Sequence, residues 1–233
     1  MRYPWAKFRA VLESVLVLYL YGVLVMVFLI LPPVGLRALG IRLELRPGTA
    51  ITLGGVLIAE LLALGAAIAY YRRKGITLGQ LGWSLPRHQA VVIVLSLGVA
   101  LLYSWYTLRI PAVKENIAEI SFFKLWGAFV GVLAALMEEI VFRGYVMARL
   151  QQVKISPLVQ VLLTSVAFSL LHLGFGFIGI LCTLVVGIAL GGLYLIGQRN
   201  LLGPVLCHCT INAIVEPWLL FWLLQFYSEK FRK

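Results

Sequence analysis

Apolar residues dominate the chain in long runs, and polar residues collect between them. A membrane-spanning helix needs roughly 20 mostly apolar residues. Seven runs meet that length or approach it: Ser14–Leu31, Thr49–Tyr71, Ala90–Leu108, Leu125–Leu150, Pro157–Gly174, Ile178–Gly197 and Leu201–Phe226. The pattern therefore predicts an all-α, multi-pass transmembrane helical bundle of about seven spans. The first run is too long for a signal-peptide core and has no small-residue cleavage site after it, so it reads as a retained span.

The residues at the ends of these runs sharpen the reading. "LPPVG" at 31–35 is expected to close the first helix, since proline cannot continue the hydrogen-bond ladder. Ser156 before Pro157 predicts an N-cap followed by proline at the first helical position. Gly187 and Gly191 form a G-x-x-x-G pair suited to close helix packing. Pro217, just after Glu216, should break the last run, which leaves room for an eighth short element. There is no internal repeat, low-complexity tract or soluble domain, so residues 1–233 read as one integral membrane domain.

Composition agrees with this picture. The chain of 233 residues is 62% hydrophobic and only 12% charged, with a mean hydropathy of +0.99. A soluble domain of this size has no interior large enough for that apolar surface. The net charge of +11 would suggest nucleic acid in a soluble protein. Here the basic residues sit between apolar runs (Arg37, Arg42 and Arg46; Arg72, Arg73 and Lys74). That placement suits anionic lipid headgroups as partners, and no nucleic-acid motif accompanies it. Basic residues divide almost evenly between the two sides, so charge does not fix orientation; the 72–74 cluster favours a cytoplasmic N-terminus. Cys182, Cys207 and Cys209 lie within apolar runs and read as buried inert thiols. Small size and the lack of a targeting segment favour a prokaryotic plasma membrane.

Against this background a few ionisable residues stand out, because a charge in hydrocarbon is costly and needs a partner or a purpose. They are Glu60, Glu138, Glu139, Arg143, His172, His208 and Glu216. Glu139 and Arg143 are four apart with the acid first, the favourable order for a helical ion pair. Glu138 lies roughly 100° around the helix from Glu139, too far round to share that arginine equally. "FSLLH" sets Phe168 and His172 on one face, and "HCTIN" does the same for His208 and Asn212. A lone membrane histidine is more often a hydrogen bond between helices than a catalyst. Three such motifs on nearby helices, carrying between them the groups of a hydrolytic centre, form a stronger signal.

E-E-x-x-x-R at 138–143, F-x-x-x-H at 168–172 and H-x-x-x-N at 208–212 resemble the signature motifs of the CPBP family. That family comprises the type II CAAX prenyl endopeptidases and the bacteriocin-processing or self-immunity (Abi) membrane proteins. The resemblance covers about residues 121–226, without departure at the key positions; the first three spans match only in being membrane helices. It implies an intramembrane endopeptidase acting on a membrane-associated peptide or a prenylated protein. In that comparison Glu138 would hold and deprotonate a water, with His172 helping to position it. His208 and Asn212 would face the developing oxyanion, Glu139 and Arg143 would orient the site, and Phe168 would shape its wall.

The chemistry has its own logic: peptide hydrolysis needs an activated nucleophile, a general base and donors where negative charge develops. A covalent route through Ser165, Ser169, Cys207 or Cys209 would leave Glu138 idle. Glu138, His172 and His208 could alternatively ligate a divalent metal such as zinc, with an open position for water, although they serve equally well without one. Two other functions remain open: a non-catalytic scaffold or immunity protein, and a transporter relaying ions through Glu60, Glu138 and Glu216. The helical rise exposes one tension. It sets Glu138 and His208 each about 10 Å from the same membrane face but His172 at about 22 Å.

Overall fold

The computed structural model describes residues 3–41, 45–83, 88–110, 121–173 and 176–215. Among these, seven helices form the bundle and no strand occurs. They are α1 (Tyr3–Ala38), α2 (Leu45–Arg72), α3 (Gln89–Thr107), α4 (Phe122–Gln152), α5 (Pro157–Leu171), α6 (Gly176–Ile196) and α7 (Leu202–Ile214). α1, α2, α3, α4 and α6 are long and apolar enough to cross a membrane, whereas α5 and α7 are shorter apolar helices. The kink expected at Pro217, Glu216 itself and any eighth element lie outside the described residues.

Outward faces are apolar: Val94, Leu102, Val185 and Phe177 are all more than 60% exposed. Such a surface suits a lipid surround. Inside, hydroxyl groups bond back to their own helices, as Ser96 does to the Val92 carbonyl and Ser165 to the Val161 carbonyl. These hydroxyls are thus satisfied without water, whereas Ser104 and Tyr145 keep buried hydroxyls with no hydrogen-bond partner among the described residues.

α1 overturns one expectation, for it runs 36 residues straight through Pro32 and Pro33. Proline removes its own N–H and pushes on the carbonyl four residues back, here Phe28. That carbonyl faces Gly55 on α2, where an added Cβ would stand 2.7 Å from the oxygen and 3.3 Å from the Pro32 ring. A neighbouring helix that approaches this closely supports a proline-containing turn that would break in isolation. The true stop is Gly40, in the left-handed region at φ 77°. There Ile41 N–H bonds the Leu36 carbonyl and Gly40 N–H the Arg37 carbonyl, a Schellman closure.

α5 begins as its sequence predicts, with Ser156 at the N-cap and Pro157 first, although the serine hydroxyl makes no capping bond. The glycine pair also behaves as expected. A Cβ on Gly187 would meet Ser165 at 3.1 Å, and one on Gly191 would meet Val161 at 2.9 Å. α6 therefore lies almost backbone to backbone against α5. α7 packs against α3, α4 and α6, which brings the sequence motifs of α4, α5 and α7 around one core. Glu13 ties the ends of three helices together: Lys74 and Arg149 each reach its carboxylate at 3.1 Å, and Arg9 at 2.9 Å.

Candidate active site

Within α4 the backbone changes character just after the paired glutamates. Residues Ile140–Val146 form a π-helical stretch, and all seven are buried. Such stretches widen the helix by one residue per turn and often mark functional positions. Arg143 lies in the middle of it and is fully buried.

Glu139 and Arg143 make the pair that their spacing predicts: Nη1 donates to Oε1 at 2.8 Å, both side chains being wholly enclosed. Arg143 also donates through Nη2 to the Gly187 carbonyl at 3.1 Å. Gly187 is also one of the two glycines where α6 lies close against α5. A buried arginine with carboxylate and carbonyl acceptors is a paired charge rather than a stranded one, although its Nε and the Glu139 Oε2 make no hydrogen bond among the described residues.

The same Glu139 Oε1 takes a third group, Nδ1 of His208, at 2.8 Å. A carboxylate has only acceptors, so Nδ1 carries the proton and donates. This fixes the ring and turns Nε2 toward Glu138, whose Oε2 is 3.8 Å away. The adjacent glutamates therefore differ in surroundings: the Glu139 side chain is fully enclosed, and that of Glu138 is 13% exposed. One is committed to structure. The other is accessible.

Phe168 joins the two histidines. Its ring lies 4.8 Å from that of His172 and 5.4 Å from that of His208, centroid to centroid. The Arg143 guanidinium sits over the same phenyl ring at 5.1 Å, a favourable placement for a cation. His172 is the residue just after α5 rather than one inside a longer helix. Its Nδ1 donates to the Phe168 carbonyl at 2.9 Å, leaving Nε2 as the acceptor of the ring. The rings of His172 and His208 both meet Phe168, so the offset in depth reckoned from helical rise does not keep them apart.

Asn212, one turn beyond His208 on α7, donates to the Gly131 carbonyl of α4 at 2.9 Å. This bond, with the His208–Glu139 bond, clamps α7 along α4. Glu138, Glu139, Arg143, Phe168, His172 and His208 thus share one neighbourhood, and Asn212 borders it through a backbone contact. Ser165 and Ser169 spend their hydroxyls on the Val161 and Val166 carbonyls, and the Cys209 thiol faces the Val132 carbonyl at 3.5 Å.

The described residues contain no group of three or more His, Cys, Asp or Glu side chains arranged to hold a metal ion. Glu138, His172 and His208 are therefore not gathered as a zinc cage in this geometry.

Sequence reasoning gave no role at the site to Tyr21. Its hydroxyl donates to the Glu60 carboxylate, and its ring meets that of Phe142 edge-on at 5.8 Å. Phe142 in turn meets Phe168 at 5.8 Å. Contacts between tyrosine on α1 and phenylalanine on α4 leave no periodic trace in a sequence.

A comparison with known families agrees with an all-helical membrane bundle that carries a buried Glu–Arg–His cluster. Residues 120–214 match the family described as type II CAAX prenyl endopeptidase Rce1-like. Over that segment the chain is similar to the CAAX-protease type, a family of proteases. No curated protein and no solved structure matches the chain.

Proposed function

We propose that the protein is an intramembrane endopeptidase in which Glu138 activates water to hydrolyse a peptide bond of a membrane-associated or lipidated substrate. The observation that carries this reading is the position of His208, with one ring nitrogen on Glu139 and the other facing Glu138. Glu139, already paired with Arg143, holds the histidine in one orientation, much as a buried carboxylate orients a catalytic imidazole in other hydrolases. Glu138, more accessible than its neighbour, is the base that takes a proton from water as the oxygen attacks the carbonyl carbon. Nε2 of His172 accepts the water's other hydrogen and sets its approach.

Negative charge then develops on the carbonyl oxygen. Nε2 of His208, when protonated, and the second amide hydrogen of Asn212 are the donors for it. Collapse of the tetrahedral intermediate breaks the C–N bond, and Glu138 returns its proton to the leaving amine. Phe168 walls the site and limits water to the reacting molecule. A scaffold or immunity protein would need Glu139 and Arg143 for packing but would have no use for an accessible second glutamate. A prokaryotic plasma membrane is the proposed location.

The test is purified protein in detergent with a library of membrane peptides and prenylated peptides, comparing wild type with Glu138→Gln, with and without a chelator. Cleavage lost in the variant and kept under chelation supports the reading. Loss under chelation, restored by one particular metal, would replace it with a metal-dependent mechanism.

A further inference from the structure

We infer that Glu60, on α2 and outside the family-matched segment, is a positioning residue of this site, held by Tyr21 and acting through Glu138. The inference rests on the hydrolytic reading above.

Glu60 is 1% exposed within an apolar helix. Its carboxylate accepts the Tyr21 hydroxyl, and it lies close enough to Glu138 for the two acids to interact electrostatically. α2 packs along α4, the helix that carries Glu138. Tyr21 belongs to the same aromatic wall as the two histidines, through Phe142 and Phe168. Gly22, the next residue, has no side chain where Leu171 presses against α1, and His172 directly follows Leu171. The anchor of Glu60 is therefore built into the walls of the site.

A simple clasp between α1 and α2 would explain the Tyr21 bond alone. It would not explain an acid, because a glutamine oxygen accepts the same bond without burying a carboxyl group beside a second one, which is costly. Held in place, the Glu60 carboxyl acts on that of Glu138 from the α2 side, and His208 draws it from the α7 side at 3.8 Å. Together they favour one direction for the Glu138 carboxyl. Its oxygen must hold the water in line with the carbonyl, and a misplacement of about 1 Å in such an arrangement costs on the order of 100-fold in rate.

The test compares wild type, Glu60→Gln, Tyr21→Phe, the double variant and Glu138→Gln as full-length protein in detergent. The substrate is the library peptide that wild type cleaves fastest, and thermal midpoints are recorded alongside. Glu60→Gln is expected to lower kcat by roughly 10- to 100-fold, with KM within about twofold and the midpoint unchanged. Tyr21→Phe should lower kcat less, and the double variant should be no worse than Glu60→Gln, because both act along one path. Unchanged kcat in Glu60→Gln, or a lower midpoint with normal kcat, would reduce Glu60 to a structural clasp. If Glu60→Gln does not fold, Tyr21→Phe decides: a kcat equal to wild type overturns the inference. When wild type cleaves and Glu138→Gln does not, such a failure touches Glu60 alone. An inactive wild type, or an active Glu138→Gln, overturns both readings.

Discussion

His208 and Glu139, 69 residues apart in sequence, are joined by a 2.8 Å hydrogen bond in which one carboxylate oxygen serves both the imidazole and the guanidinium of Arg143. This bond separates the roles of two adjacent glutamates, because it uses one for orientation and leaves the other facing Nε2. The predictions that follow depend on that separation.

Glu138→Gln keeps the shape of the side chain and removes the base. Peptide cleavage should fall by about 100- to 10,000-fold, the usual contribution of a general base, with the thermal midpoint in detergent close to wild type. Full proteolysis by this variant would refute the base assignment.

Arg143→Ala should unfold the site as well as silence it. It leaves the fully enclosed Glu139 carboxylate with the His208 N–H but no counter-charge, and losing one partner of a buried pair costs about 3–5 kcal/mol. Thermal denaturation should show a markedly lower midpoint, and Glu139→Gln should shift it in the same direction. A midpoint equal to wild type in Arg143→Ala would deny the ion pair its role.

Asn212→Ala divides its effect differently. The lost bond to Gly131 should lower stability by only about 1 kcal/mol. Removal of an oxyanion donor should lower kcat by roughly 100- to 1,000-fold. Steady-state kinetics with a cleaved peptide separate these effects, and an unchanged kcat would leave Asn212 as a helix clamp alone.

The α6 glycines make a comparison within one helix. Gly187→Ala places a methyl 3.1 Å from the Ser165 Cα, where backbone must give way, and it shifts the carbonyl that Arg143 uses. Stability and activity should both fall. Gly192→Ala meets nothing within 4 Å and should be neutral or stabilising by up to about 1 kcal/mol. Paired thermal scans of these variants check the expected order.

Much of the fold was legible because lipid imposes a simple rule on sequence, and seven apolar runs became seven helices. The ends were less legible. Pro32 suggested a stop, yet the helix continued because Gly55 on another helix makes room for the Phe28 carbonyl, a fact that no local reading can contain. The π stretch at Ile140–Val146 was hidden because its residues are almost uniformly apolar and show no change of period. At the site, Glu139 with Arg143 was readable from spacing. The partnership of Tyr21 with Glu60 was not, since it joins two helices 39 residues apart with no shared motif.

The oxygen that binds α4 to α7, together with the arginine that binds α4 to α6, has a mechanical corollary. These three helices cannot slide past one another without pulling a charged group off its counterpart in a dry interior. They therefore act as the fixed jaw of the bundle. On the hydrolytic reading proposed above, a polypeptide would enter along other seams, where hydrocarbon contacts hold the helices and lipid can take the place of side chains that swing aside.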